Sequence, residues 1–155
     1  MTELIVFGAK YLVAPVIVSA AIVLSRNKER RKHLTWTLAV ALPLGYTLAR
    51  LAGLFFAHNQ PFAVEGLEPL VPHAVDNSFP SDHVLIGGVF ASLAFLADRK
   101  VGLVLWALTL VVGISRILAW LHYGVDVLAA AVLALGSVFL AHKAVLWVGG
   151  RQLYP

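Results

Sequence analysis

The chain has 155 residues, 60% of them hydrophobic and 13% charged, with a formal net charge of +4 and no cysteine. Soluble domains carry about 25% charged and about 45–50% apolar residues, so this composition, with a mean hydropathy of +0.85, excludes an ordinary soluble domain. It indicates an integral membrane protein short enough to form one domain, 1–155, with disulfide, thiolate and Cys-based metal chemistry excluded.

A crossing helix needs roughly 20 apolar residues. Five segments answer to that in chain order: 4–25, 34–57, 81–97, 101–121 and 124–147. The fold class expected is therefore all-α, an integral membrane bundle of about five transmembrane helices with one re-entrant or interfacial extracytoplasmic loop. The first segment carries its heavier flanking charge on the C-terminal side, Arg26 to Lys32, which reads as an uncleaved helix with its N-terminus outside. Pro15 and Pro43 interrupt the first two segments, which membrane helices tolerate when neighbours satisfy the freed carbonyls. The loop from His58 to Phe79 holds Pro61, Pro69 and Pro72, so it is no continuous helix. Its Val64, Leu67, Leu70 and Val71 suit a segment at the interface or dipping into the bundle. Pro80 marks a break, and Ser81 is placed to cap the third segment. Gly87, Gly88 and Gly113 suggest close helix approach.

Charge sets the sidedness. Nine of the twelve Lys and Arg fall in the first connection (Arg26, Lys28, Arg30, Arg31, Lys32), the third (Arg99, Lys100) and the tail (Lys143, Arg151). That face is expected to be cytoplasmic, with the C-terminus. Topology explains the pI near 9.7 better than nucleic-acid binding does. Six of the eight acids, and the loop 58–79, fall on the opposite, extracytoplasmic face of a cell (inner) membrane protein.

Two polar islands lie on that outer face, where ionisable residues beside apolar runs mark function by default. His122 and Asp126 are four apart, a spacing that stacks them on one helical face. The carboxylate can then fix the imidazole tautomer and make the other nitrogen more nucleophilic. The plainer reading is a structural pair at the start of the fifth segment. Arg116 can grip two phosphate oxygens and stays charged in a dry site, or else snorkels to headgroups. Ser115 can add a hydroxyl donor or bond its own helix. Ser81-Asp82-His83 opens a helix whose N-terminal N–H groups suit a phosphate, with His83 as a general acid. Read separately, Ser81 is only a cap and His83 an interfacial side chain.

Phe79-Pro80-Ser81-Asp82-His83 and Ser115-Arg116-x5-His122-x3-Asp126 resemble the second and third motifs of the type 2 phosphatidic acid phosphatase (PAP2) superfamily. The resemblance implies a metal-independent membrane phosphatase without cofactor that works through a phosphohistidine. His122 would be its nucleophile, Asp126 the partner, His83 the leaving-group acid, and Arg116 and Ser81 the phosphate ligands. Asp82 stands where the broad family has glycine, and the stretch 76–83 resembles the branch that hydrolyses undecaprenyl diphosphate. The first motif departs: Gln60 stands where the family has a phosphate-binding arginine, and Arg50 is ten residues before it rather than seven. Arg50 is expected to reach the site from one turn deeper. The resemblance covers roughly residues 50–135, leaving the first helix and the tail as membrane anchors.

The resulting expectation is a lipid phosphatase at the outer leaflet, acting on undecaprenyl diphosphate, or alternatively on phosphatidylglycerol phosphate or phosphatidic acid. A non-catalytic polyprenyl-phosphate binder is the competing class, motivated by Gln60. A small transporter or channel subunit fits less well, since its charges belong near the bilayer midplane. The sequence assigns no oligomeric state.

Overall fold

The computed structural model describes residues 1–151, with side chains through Gly149; the end of the expected domain 1–155, and the Arg151 side chain counted on the basic face, lie outside the described residues. Among the described residues seven helices follow in order: α1 (Thr2–Lys10), α2 (Val13–Arg26), α3 (Arg31–Phe55), α4 (Pro61–Glu65), α5 (Asp82–Ala97), α6 (Arg99–Leu118) and α7 (Gly124–Arg151). Among the described residues, α3, α6 and α7 are each long and apolar enough to cross a bilayer. The α1–α2 pair, bent by 45°, makes a fourth crossing if counted as one. At 16 residues, α5 is apolar but shorter. The protein is an all-α, multi-pass membrane protein.

The first segment was expected as one helix over 4–25 and is two. A helix running through Pro15 would leave the Tyr11 carbonyl without its donor and press the proline ring against it. The chain breaks one turn earlier instead, at Tyr11 and Leu12, and Pro15 falls in the first turn of α2, where no N–H is needed. Pro43 lies inside α3, which continues through it.

Centrally, α5 packs against α2, α3, α6 and α7. Its buried Val84, Leu85, Val89 and Leu93 join Ala130, Ala134 and Val138 of α7 in the main apolar cluster. Small residues let the backbones approach, which is how helices associate where lipid removes the hydrophobic drive between them. A methyl group on Gly88 would lie 2.8 Å from the Ala134 Cβ and 2.9 Å from the Trp106 ring, and one on Gly113 would lie 2.7 Å from Val127. On α3 the buried face is Ala41, Gly45, Ala49 and Gly53, one small residue per turn, with Gly45 against Ser137 of α7. Outward, Leu54, Phe55, Leu128, Val132 and Phe139 are all exposed, a surface suited to lipid.

The bundle has two chemically distinct ends. At one, Asn27 and Arg30 donate to the carbonyls of Ala97 and Leu96 (3.4 and 3.3 Å), satisfying the last turn of α5. Asp98 caps α6 by accepting from the N–H groups of Lys100 and Val101. The basic segments 26–32 and 99–100 therefore meet at this end. At the other end, Ser81 opens α5 and the loop 56–80 closes over the bundle. As expected, that loop is no continuous helix; it buries Phe62 and Val71 against Ala9, Ala119 and Leu121.

Glycine packing gives a paired prediction. Gly88→Val should destabilise the protein by about 1–3 kcal/mol through overpacking. Gly136→Ala, where a methyl group meets nothing within 4 Å, should be neutral or stabilising by up to about 1 kcal/mol. Thermal unfolding of both variants in detergent checks it; equal effects would contradict the packing account.

Candidate active site

The loop 56–80 is stapled at its ends. Asn77 Nδ2 donates to the Gly53 carbonyl (3.2 Å), and its Oδ1 accepts from the His58 and Phe79 N–H groups (3.2 and 3.1 Å). Ser78 N–H donates to the His58 carbonyl (2.8 Å), and Asn59 bridges Asn77 antiparallel. Only a glycine fits at 53, since a Cβ there would lie 2.9 Å from Asn77 Nδ2 and 3.0 Å from the Phe79 carbonyl. The staple carries His58 and Ser78 to the end of the bundle.

Opposite lies the corner between α6 and α7. Helix α6 ends with Leu121 N–H donating to the Arg116 carbonyl and Trp120 N–H to the Ile117 carbonyl, and Trp120 adopts a φ of 64° where glycine is usual. His122 therefore follows a tight corner and precedes α7, so it does not stack on Asp126 along one helical face as the spacing suggested. Asp126 sits in the first turn of α7 and accepts from the Tyr123 N–H (2.8 Å), the reach-back contact of a capping box.

His122 and Asp126 still meet, at 3.5 Å from Nδ1 to Oδ2. The shorter partner of Nδ1 is the Ser78 carbonyl at 2.9 Å. A carbonyl only accepts, so Nδ1 carries the proton and Nε2 of the neutral ring presents its lone pair. Ser78 Oγ donates to Asp126 Oδ2 at 2.5 Å, so one serine links imidazole and carboxylate. Asp126 is fully buried and His122 nearly so.

Arg116 Nη2 lies 3.2 Å from His122 Nε2, on the side away from Asp126. Its Nη1 donates to the Ala9 carbonyl of α1 (3.2 Å), while its buried Nε has no hydrogen-bond partner in the protein. Ser81 occupies the N-cap position of α5, yet its Oγ makes no capping bond and is likewise buried and unpartnered. His83, in the first turn of α5, is partly buried within Coulombic range of Arg116 and His122. These five residues converge: His122, Asp126, Arg116, Ser81 and His83.

The remaining candidates make other contacts. Arg50 pairs with Asp82 at the start of α5, with its guanidinium 4.8 Å from the Tyr46 ring centroid. Gln60 is turned into the loop: Nε2 donates to the Asp76 carboxylate and Oε1 accepts from the Asp76 N–H (3.1 Å), so its carboxamide braces the loop. Ser115 faces α1, where a Cβ on Gly8 would fall 2.2 Å from its Oγ. The first helix is thus more than an anchor, since Gly8 seats Ser115 and Ala9 holds Arg116. Ser78, His58 and Ala9 escaped the sequence reading. A serine two residues before the Pro-Ser pair was the available signal for the first; a backbone carbonyl leaves none. Among the described residues no group of three or more His, Asp or Glu is arranged to hold a metal ion.

A bundle of apolar helices that holds a buried His–Asp pair, with an arginine on the free imidazole nitrogen, suits a membrane hydrolase. The PAP2 superfamily profile matches residues 34–149, and the chain belongs to that superfamily as a membrane lipid phosphatase. It is 36% identical over 142 residues to undecaprenyl-diphosphatase BcrC of Bacillus subtilis strain 168, spanning 90% of this chain and 72% of that protein. It is 30% identical over 157 aligned positions to the putative undecaprenyl-diphosphatase YbjG of Escherichia coli K12, spanning 99% and 78%. Aquifex aeolicus LpxE, whose crystal structure is solved, shares the fold with a TM-score of 0.67 at 23% identity, over 92% of this chain and 82% of that one.

Ser78→Ala removes one of two donors to a buried carboxylate oxygen. It should cost about 1–3 kcal/mol of stability, read as a lowered unfolding midpoint in detergent; an unchanged midpoint would mean the hydroxyl holds nothing.

Proposed function

We propose that the protein hydrolyses undecaprenyl diphosphate to undecaprenyl phosphate at the extracytoplasmic face, through a phosphohistidine on His122. The observation that carries this reading is the Arg116 guanidinium 3.2 Å from His122 Nε2, together with two buried donors, Arg116 Nε and Ser81 Oγ, that have no protein partners. Buried donors are costly unless paired, and a phosphate supplies acceptors for both. The relatives named as undecaprenyl-diphosphatases, and the stretch Asp76 to His83, favour the prenyl diphosphate over phosphatidylglycerol phosphate or phosphatidic acid.

The terminal phosphoryl group sits on Arg116, Ser81 and the N–H groups that open α5. Nε2 of His122 attacks phosphorus, the bridging P–O bond breaks, and His83 gives its proton to the departing lipid phosphate. Asp126 and the Ser78 carbonyl stabilise the charge that develops on the imidazole. Water then attacks phosphorus and gives a proton to His83, the P–N bond breaks, and inorganic phosphate leaves with the imidazole of His122 restored. Arg116 supplies fixed positive charge, so no step calls for a metal. Arg50, held by Asp82 and Tyr46, borders a groove of about 440 Å³ with Leu54, Asn77 and Phe79. It takes the lipid-side phosphate, while Ser115 and Gln60 support the site through α1 and the loop.

The same reading makes α5 a fifth crossing, with α1 and α2 as one broken crossing and the loop 56–80 at the outer interface. The N-terminus is then outside and the basic end cytoplasmic, following the charge rule.

Phosphate release by purified protein in detergent with EDTA tests this, comparing undecaprenyl diphosphate, phosphatidylglycerol phosphate and phosphatidic acid. Release should persist in EDTA, be fastest on the prenyl diphosphate and vanish in His122→Ala. Arg116→Lys should lower turnover about 100-fold. A strict requirement for added Mg²⁺, or release surviving in His122→Ala, would refute the mechanism. No release from any lipid by folded protein would favour the non-catalytic binder.

A further inference from the structure

A second imidazole approaches the carboxylate of Asp126. His58 Nε2 lies 2.9 Å from Asp126 Oδ1, with the two side chains 34% and 0% exposed. The contact has ion-pair distance without hydrogen-bond alignment, and both atoms are buried with no hydrogen-bond partner elsewhere. Two such atoms left unpaired in a dry site carry a desolvation cost that a proton between them removes. The other ring nitrogen of His58, Nδ1, lies 3.0 Å from the Phe56 carbonyl. An N–H on Nε2 would face Oδ1 at this distance and pair both atoms.

The ring is also well held. His58 N–H donates to Asn77 Oδ1 (3.2 Å), and its carbonyl accepts from Ser78 N–H (2.8 Å). Its ring centroid lies 5.3 Å from that of Tyr123 and 6.0 Å from that of Phe79. Helix α7 supplies Asp126, the preceding corner supplies Tyr123 and His122, and the loop supplies both His58 and Ser78.

We infer that His58 is a positioning residue for the phosphatase reaction. It holds Asp126 from Oδ1 while Ser78 Oγ and the Tyr123 N–H hold Oδ2. Contacts on Oδ2 alone leave the carboxylate free to pivot about that oxygen; a partner on Oδ1 removes the freedom and keeps the carboxylate beside the Nδ1 edge of His122. The inference rests on the reading of His122 as nucleophile. It also links the loop to the chemistry, because the staple that closes the loop delivers two of the three residues that grip Asp126. Since His58 acts through Asp126, its loss falls on kcat and leaves KM in place.

Two substitutions separate positioning from packing. His58→Phe keeps a ring against Tyr123 and Phe79 and has no donor. His58→Gln gives up the ring and keeps an N–H that can reach Oδ1. In phosphate release from undecaprenyl diphosphate, His58→Phe should lower kcat about 10-fold, as for the loss of one polar contact to a buried carboxylate. Its KM should stay within about twofold, as expected when only transition-state interactions are lost, and His58→Gln should recover most of kcat. The reverse order, or wild-type kcat in both variants, would overturn the inference. The contact itself is read without turnover by a double-mutant cycle on thermal unfolding with Asp126→Asn. Asp126→Asn should shift the midpoint less in the His58→Phe background than in wild type, and additive shifts would overturn the contact. If wild type releases no phosphate from any lipid, the functional reading fails while the unfolding cycle still decides whether His58 holds Asp126.

Discussion

The site depends on one hydrogen bond, from His122 Nδ1 to the Ser78 carbonyl at 2.9 Å. A histidine is a nucleophile at one nitrogen only when the other holds the proton, and a carbonyl partner admits no alternative tautomer. With the proton fixed at Nδ1, the lone pair of Nε2 points at Arg116, where a phosphorus atom and its oxygens would be met by fixed charge. Asp126 adds negative charge on the protonated side without being the nearest acceptor. Were the Ser78 carbonyl displaced, the ring could turn toward the 3.5 Å contact with Asp126, and its alignment with Arg116 would be lost.

Much of the fold serves to keep that bond in place. The corner after α6 ends with Trp120 in the left-handed region, which sets the direction of His122. Ser81 N–H donates to the Asp126 carbonyl, joining the start of α5 to the start of α7 (3.2 Å). Gly53 lets the Asn77 staple close, and the staple sets the Ser78 carbonyl. The glycine contacts of α5 with α6 and α7 then hold the two helix starts in register. Small residues let the backbones that carry the site pack closely.

The sequence disclosed three of the five expected crossings and the residues of the third motif, because both are local signals. Apolar run length marked α3, α6 and α7, and the start of α5 at Pro80 and Ser81 followed from proline and capping chemistry. The break at Tyr11 was displaced from where Pro15 drew attention, since a proline disturbs the turn before it rather than its own position. His122 and Asp126 were found from their spacing, although a corner and not a helical face brings them together. What the sequence hid was long-range. Ser78 lies 44 residues from His122 and Ala9 lies 107 from Arg116, and each acts partly or wholly through a backbone carbonyl, which every residue possesses. Gln60 drew notice as a lost charge, while the structure gives it a bracing partner in Asp76 that only loop closure reveals.

The most direct test of the central claim is rapid-quench capture of the phosphoenzyme with terminally labelled undecaprenyl diphosphate. The account predicts a label that is stable to base and labile to acid, forms before inorganic phosphate, maps to His122 and is absent from His122→Ala. Phosphate release at the wild-type rate with no label on the protein at any quench time would mean that water attacks directly. In that case the tautomer fixed by Ser78 would not make His122 a nucleophile.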